Sequence, residues 1–422
     1  MTTTDSAIEK TILPNGVRVV TERMPEARSV SIGFWVGVGS RDETEELSGA
    51  SHFLEHLLFK GTPTRSARSI SNDVDAVGGE MNAYTARENT AYYTRLPASE
   101  LRFGLDLLTD VITSPAFRPH EVEAEREVIL EELYMNEDTP DDVVHSALYE
   151  ALFPGHPLGW ETLGTRETIN GMSRDDIAAF CAHWYRPVNL VIAAAGDLHH
   201  DQVLDAVGSC FSDRDAGAKP ARTTPGLDLN NLVVTERPTE QANIAMGWRG
   251  IHYDDPARYA LLVANHAIGG GMSSRLFQEI REERGLAYSV YTSPASYADC
   301  GSVVLYAGTA PERTAELLDV IDDTLASMLA DGLTEEEHRV ALGYLEGSLV
   351  LGLEDSGSRM VRLATGEMVR GEVITIDEHL QHLRAVTLDD AHTVLKRVFD
   401  APRAVSVVGP FAADDARFTR FT

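Results

Sequence analysis

Two histidines and a glutamate fall within five consecutive residues, His52-Phe53-Leu54-Glu55-His56. On a helix, His52 and His56 would stand one turn apart on the same face, so both imidazoles could reach one metal ion. Glu55 lies beside them, too near in sequence to be an easy third ligand but well placed to take a proton from a water held by that ion. Two histidines on a solvated helix face account for the same five residues, so the metal reading needs support from elsewhere in the chain. The run Glu125-Arg126-Glu127-Val128-Ile129-Leu130-Glu131-Glu132 offers a third ligand. It consists mostly of good helix formers, and Glu125 and Glu132, two helical turns apart, share a face while Val128, Ile129 and Leu130 anchor the helix. Glutamates also cluster on solvated helices, and in an acidic chain that alternative stands beside the metal one.

His-x-x-Glu-His is the inverted order of the commoner zinc-protease motif. With the second segment it resembles the pitrilysin-type (M16) metallopeptidases, whose glutamate ligand follows the second histidine by about 76 positions; here that position is Glu132. The resemblance implies one zinc ion per chain held by His52, His56 and Glu132, with Glu55 as general base and Glu125 steadying the site by hydrogen bonding. Residues 13–18, 37–43 and 59–62 also read as family segments. Gly78-Gly79 followed by Asn82-Ala83-Tyr84-Thr85 resembles the active-site strand of the processing-peptidase branch. It implies a peptide bound as an added strand, with Asn82 offering an amide and Ala83 a small side chain near the metal. Residues 281–288 resemble the family's Arg…Tyr pair, which implies that Tyr288 donates to the oxyanion while Arg281 holds the peptide backbone. The plain alternatives are a strand after a Gly-Gly turn, a salt-bridged arginine and a half-buried tyrosine. Two acidic positions that receive a substrate arginine in that branch correspond to Asp142 and Ser146, so an arginine preference stays open. Asp142 reads equally as part of an acidic helix start after Pro140.

These residues need a frame. A chain of 422 residues suits two domains, and 43% hydrophobic content is ordinary for a globular protein. Its 36 basic against 66 acidic side chains leave a net charge of −30, which argues against nucleic acid or an anionic membrane as partner. The same charge favours basic peptides through long-range steering or serves solubility alone. Three cysteines, none in a Cys-x-x-Cys pair, read as reduced thiols of a cytoplasmic protein. Met1-Thr2-Thr3-Thr4-Asp5-Ser6 shows neither a basic nor an apolar leader region, and apolar windows such as residues 30–36 are strand-length.

The chain repeats itself. Val19-Val20-Thr21-Glu22-Arg23 recurs as Val233-Val234-Thr235-Glu236-Arg237, an offset of 214. Ser173-Arg174-Asp175-Asp176 recurs as Thr387-Leu388-Asp389-Asp390 at the same offset, each resembling a helix cap with an acidic first turn. The expected fold is α+β: two duplicated domains, each a mostly antiparallel sheet with helices packed on one face, forming a clam-like chamber. The expected boundaries are 1–214 for the zinc-binding domain, 215–227 for a polar Pro/Gly linker, and 228–422 for a homologous domain supplying substrate contacts. Glu55 and His56 map onto Gly269 and Gly270, so only the first repeat keeps the metal set. Residues 269–275 lack the ending of a phosphate loop, and His199-His200-Asp201 reads as a surface loop. The expectation is a homodimeric zinc endopeptidase acting on peptides or unfolded segments. The alternative is a catalytically silent or partner subunit of a processing-peptidase-like heterodimer, against which the presence of His52, Glu55, His56 and Glu132 counts.

Overall fold

The computed structural model describes residues 8–211 and 214–421, so the leader reading at residues 1–6 lies outside it. The chain divides into two compact units. The first comprises Met1–Leu133, Glu161–Arg222 and Leu351–Val373, the second Tyr134–Trp160, Thr223–Val350 and Ile374–Thr422.

The first unit is built on six strands: β1 (Ile8–Ile12), β2 (Arg18–Arg23), β3 (Ser29–Val36), β4 (Glu80–Thr85), β5 (Thr90–Pro97) and β6 (Leu190–Gly196). Their order is β1-β2-β6-β3-β5-β4, with β4 at an edge. Every pair is antiparallel except β2 with β6. Side chains alternate across β3 as strand geometry requires. Val30, Ile32, Phe34 and Val36 enter the larger core, where Phe53, Leu54, Leu57 and Leu58 of the helix Ala50–Leu58 and Ile129 of the helix Pro119–Asp138 also lie. Trp35 points the other way, into a smaller core with Ala91, Val191, Ala193 and Ala195. That face is covered by Met360, Leu363 and Ala364 of the helix Ser356–Arg370. The expectation of helices on one face is therefore incomplete. A sheet buried on both sides also explains why β6 is buried throughout rather than alternating.

The second unit repeats the plan with β7 (Leu232–Glu236), β8 (Ala242–Gly250), β9 (Ala287–Ser296), β10 (Gly301–Thr309) and β11 (Arg403–Gly409), in the order β7-β11-β8-β10-β9. Its one parallel pair is β7 with β11, the counterpart of β2 with β6. The helices Arg258–Gly269, Thr314–Asp331 and Leu388–Phe399 line one face through a continuous apolar core. Val144, Leu148, Ala151 and Leu152 of the helix Pro140–Leu152 cover the other, against Ala245, Val304, Ala404 and Val408. Ser173 and Thr387 each cap a helix with a reciprocal box, as their shared offset predicts.

Each unit thus takes the cover for its second face from the opposite half of the sequence, and the units depart from the simple halves 1–214 and 228–422. Residues 215–227, the expected linker, carry no helix or strand. The stretch is not loose, because Arg222 grips both carboxylate oxygens of Asp42 at 2.8 Å and the carbonyl of Glu88 at 2.9 Å. Among the described residues no helix is long and apolar enough to cross a membrane.

Candidate metal centre

The helix Ala50–Leu58 begins at Gly49, whose φ of 93° and lack of a side-chain cap leave the first-turn amides without a local acceptor. Glu43 supplies one from a distance. Its Oε2 accepts from the Gly49 amide at 2.8 Å and its Oε1 from the Ser51 amide at 2.7 Å. Burial pushes this carboxyl up to about 8, opposed by the two amides. Phe53, Leu54, Leu57 and Leu58 bury one side of the helix, leaving His52, Glu55 and His56 on the half-buried side.

Glu132, on the helix Pro119–Asp138, brings its Oε2 to 3.5 Å from Nε2 of both His52 and His56. The three ligand atoms lie within 4.8 Å of one another, and among the described residues this is the one group of three or more His, Cys, Asp or Glu side chains that could hold an ion. His56 Nδ1 is 3.1 Å from Glu125 Oε2. Donation there leaves the Nε2 lone pair bare toward Glu132. Burial, with His56 adding to it, lowers the His52 imidazole to about 3, so this ring is neutral and able to ligate. With His52 in the tautomer that leaves its Nε2 bare, two ring nitrogens and the carboxylate oxygen they face form a set of acceptors that a cation satisfies. The residues present therefore fit zinc.

Glu55 stays out of that trio. Its Oε2 accepts from Thr85 Oγ1 at 2.5 Å, which ties the base to β4. Burial raises its pKa, while the Thr85 hydrogen bond and His56 pull it down and Glu132 pushes it up again. Glu125 is held on its far side by Lys60, whose Nζ lies 2.6 Å from Oε1. Lys60 and Thr85 were visible in the sequence only as members of family-like segments, and Glu43 likewise. The acid-to-amide capping that gives Glu43 its part spans a loop and has no local sequence signature.

Asn82 and Ala83 lie on β4, following Gly78 with its left-handed φ of 68°. The Ala83 amide donates to the side-chain Oδ1 of Asn82 at 2.8 Å, so this backbone group points away from β5 and out over the free edge. Arg281 and Tyr288 belong to the second unit. The Arg281 guanidinium sits 4.5 Å from the Tyr288 ring centroid and 4.8 Å from that of Phe277, and Tyr288 is 79% exposed. Asp142 is an exposed first-turn residue of the helix that Pro140 opens, as the plainer reading holds.

The glycines at 269–271 serve packing. A Cβ at Gly270 would stand 2.6 Å from the His266 backbone and one at Gly271 2.9 Å from its ring. His266 occupies the repeat position of His52 but stacks on Tyr344 at 4.1 Å. His200 is buried between Thr21 and Thr11, at 2.9 Å from each, rather than on a surface loop.

Comparison with known proteins gives the family of the chain. Residues 18–166 match the family model described as insulinase (peptidase family M16), and residues 171–343 match the peptidase M16 inactive domain. A protein named uncharacterized zinc protease from Streptomyces coelicolor is 43% identical over 411 residues, covering 96% of this chain and 90% of the relative. One of the same description from Bacillus subtilis is 38% identical over 403 residues, covering 96% and 98%. A protease structure from Helicobacter pylori superposes with a TM-score of 0.89 at 23% identity, covering 96% of this chain and all of that one (100%), a likeness of fold. The chain belongs to the M16 peptidase family. The inactive-domain match runs from residue 171, in the first repeat, to residue 343 and takes in Gly269 and Gly270, where the second repeat lacks the metal set.

Proposed function

We propose that this protein is a zinc-dependent endopeptidase that hydrolyses peptides or unfolded segments paired as an extra strand along β4. The convergence of His52, His56 and Glu132, with Glu55 beside them but outside the trio, is the observation that carries this reading. His52, His56 and Glu132 would hold one zinc per chain. When bound, zinc supplies Lewis acidity that makes water nucleophilic near neutral pH. Glu55 would accept the proton of that water on its carboxylate and deliver it to the departing amide nitrogen, and its raised pKa suits both halves of the task. Glu125, braced by Lys60, would keep the His56 ring turned toward the ion. A peptide carbonyl would replace Asn82 Oδ1 on the Ala83 amide, freeing the Asn82 carboxamide to bond the peptide in turn.

Arg281 and Tyr288 would contribute peptide and oxyanion contacts, and the clam-like chamber, the homodimer and a cytoplasmic setting belong to the same proposal. The test is direct. Purified protein should carry about one zinc per chain and cleave a quenched fluorescent peptide until chelated. Glu55→Gln should keep the zinc and lose turnover. A zinc-loaded wild-type protein that cuts no member of a peptide library would overturn the reading.

A further inference from the structure

The metal-bearing helix lies on one face of β4, and a cavity of about 730 Å³ opens on the other. Its walls come from Tyr84, Tyr93 and Arg95 on the sheet and from Asp355, Met360 and Val361 at the start of the helix Ser356–Arg370. Strand pairing sets which side chains belong to which face. Ala83 lies opposite Tyr92, which is buried in the larger core, whereas Asn82 lies opposite Tyr93 and Tyr84 opposite Ala91, which is buried in the smaller one. Thr85, bonded to Glu55, shares the face of Ala83.

We infer that this cavity is a specificity pocket for large apolar or aromatic substrate side chains, and that the helix Ser356–Arg370 sets the selectivity. The inference rests on the proposed strand addition at β4. An added strand repeats the pleat of its neighbour, so its side chains alternate between the metal face and this one. A residue opposite Ala83 turns toward the metal, and the residues on either side of it turn toward the pocket.

The lining states what the pocket holds. Met360, 1% exposed, forms a floor, while Val361 at 40% and Tyr84 at 36% present apolar surface left open by the described residues. Tyr84 is fixed in place, because its hydroxyl accepts from Trp35 Nε1 at 3.0 Å. Its ring stands 6.4 Å from that of Tyr93, tilted by 59°, leaving two aromatic surfaces to grip a guest. At the rim Arg95 and Asp355 neutralise each other at 3.0 Å, Asp355 also caps its helix through the Ser358 amide at 2.8 Å, and Glu80 adds one exposed carboxylate. A pocket of apolar walls with one net carboxylate at its rim selects for size and apolarity and disfavours acidic side chains.

Val361→Trp fills the pocket from the helix while leaving the residues of β4 and the metal ligands unaltered. The experiment maps cut sites in a randomised peptide library by mass spectrometry with zinc-loaded wild type and variant. Wild type should favour large apolar or aromatic residues at alternate positions about the cut. The variant should lose that preference roughly ten- to hundredfold and favour peptides with small residues there. Ser358→Trp, one turn earlier on the same helix and exposed, should act in the same direction and serves if Val361→Trp does not fold. Cleavage with an unchanged preference in the folded variants overturns the pocket and leaves the peptidase reading standing. No cleavage by wild type overturns both.

Discussion

Replacing Glu43 should loosen the helix that carries both histidines, although Glu43 touches neither. Its carboxyl group accepts from the Gly49 and Ser51 amides, and it is buried with them. Glu43→Ala leaves two buried N–H groups without a partner at about 1–3 kcal/mol each, or about 2–6 kcal/mol together. That is a large fraction of the ~5–15 kcal/mol that holds a typical domain. Glu43→Gln keeps one acceptor and sets an NH₂ group against the other amide, for about half the loss. Hydrogen exchange at the amides of residues 49–58 and the urea midpoint of metal-free protein measure the effect. Zinc affinity by chelator competition should fall with them, because His52 and His56 ride on this helix.

The same residue gives a pH signature. In the unfolded chain its carboxyl ionises near ~4.3, whereas burial pushes it up to about 8 in the fold. Between those values the folded state holds the extra proton, so the contribution is full below the lower value and is lost as pH rises through the upper one. Wild type should therefore lose stability relative to Glu43→Gln between about pH 5 and pH 8. Parallel stability curves for the two proteins, together with unchanged exchange in Glu43→Ala, would refute the capping argument.

Three other perturbations separate the parts of the site. Glu132→Gln should weaken zinc retention severalfold or more, and equal zinc content after dialysis would remove it from the ligand set. Lys60→Met leaves the Glu125 carboxylate without its ammonium partner and should cost about ten- to hundredfold in zinc affinity, with wild-type affinity as the refuting result. Tyr288→Phe should lower kcat while leaving the thermal midpoint in place, because the side chain is 79% exposed and contributes little burial; unaltered kinetics would take Tyr288 out of the chemistry.

The trio was legible because spacing along a helix is a local property, and the distant Glu132 entered through the family pattern rather than through any physics of the intervening residues. The repeat was legible too: one parallel strand pair and one matching capping box stand in each unit. What escaped is what depends on tertiary placement. Nothing local marks the helices Ser356–Arg370 and Pro140–Leu152 as covers for sheets in the other half, because an apolar helix face does not name its partner. The burial of His200 escaped for the same reason, since its partners Thr11 and Thr21 are far away in sequence. Arg222 sits in a Pro/Gly-rich stretch whose composition predicts slack, and only its grip on Asp42 shows otherwise.

The traded helices govern how the molecule can be made. When synthesis has passed β6, all six strands of the first sheet exist, yet Trp35, Val191 and Ala193 stay bare until the helix ending at Arg370 emerges. At ~5–20 residues per second the ribosome needs roughly ten to thirty seconds to deliver it. The nascent first repeat must spend that interval with one sheet face uncovered, a target for chaperones. A chain severed between the repeats would yield two fragments that regain order only by recombining.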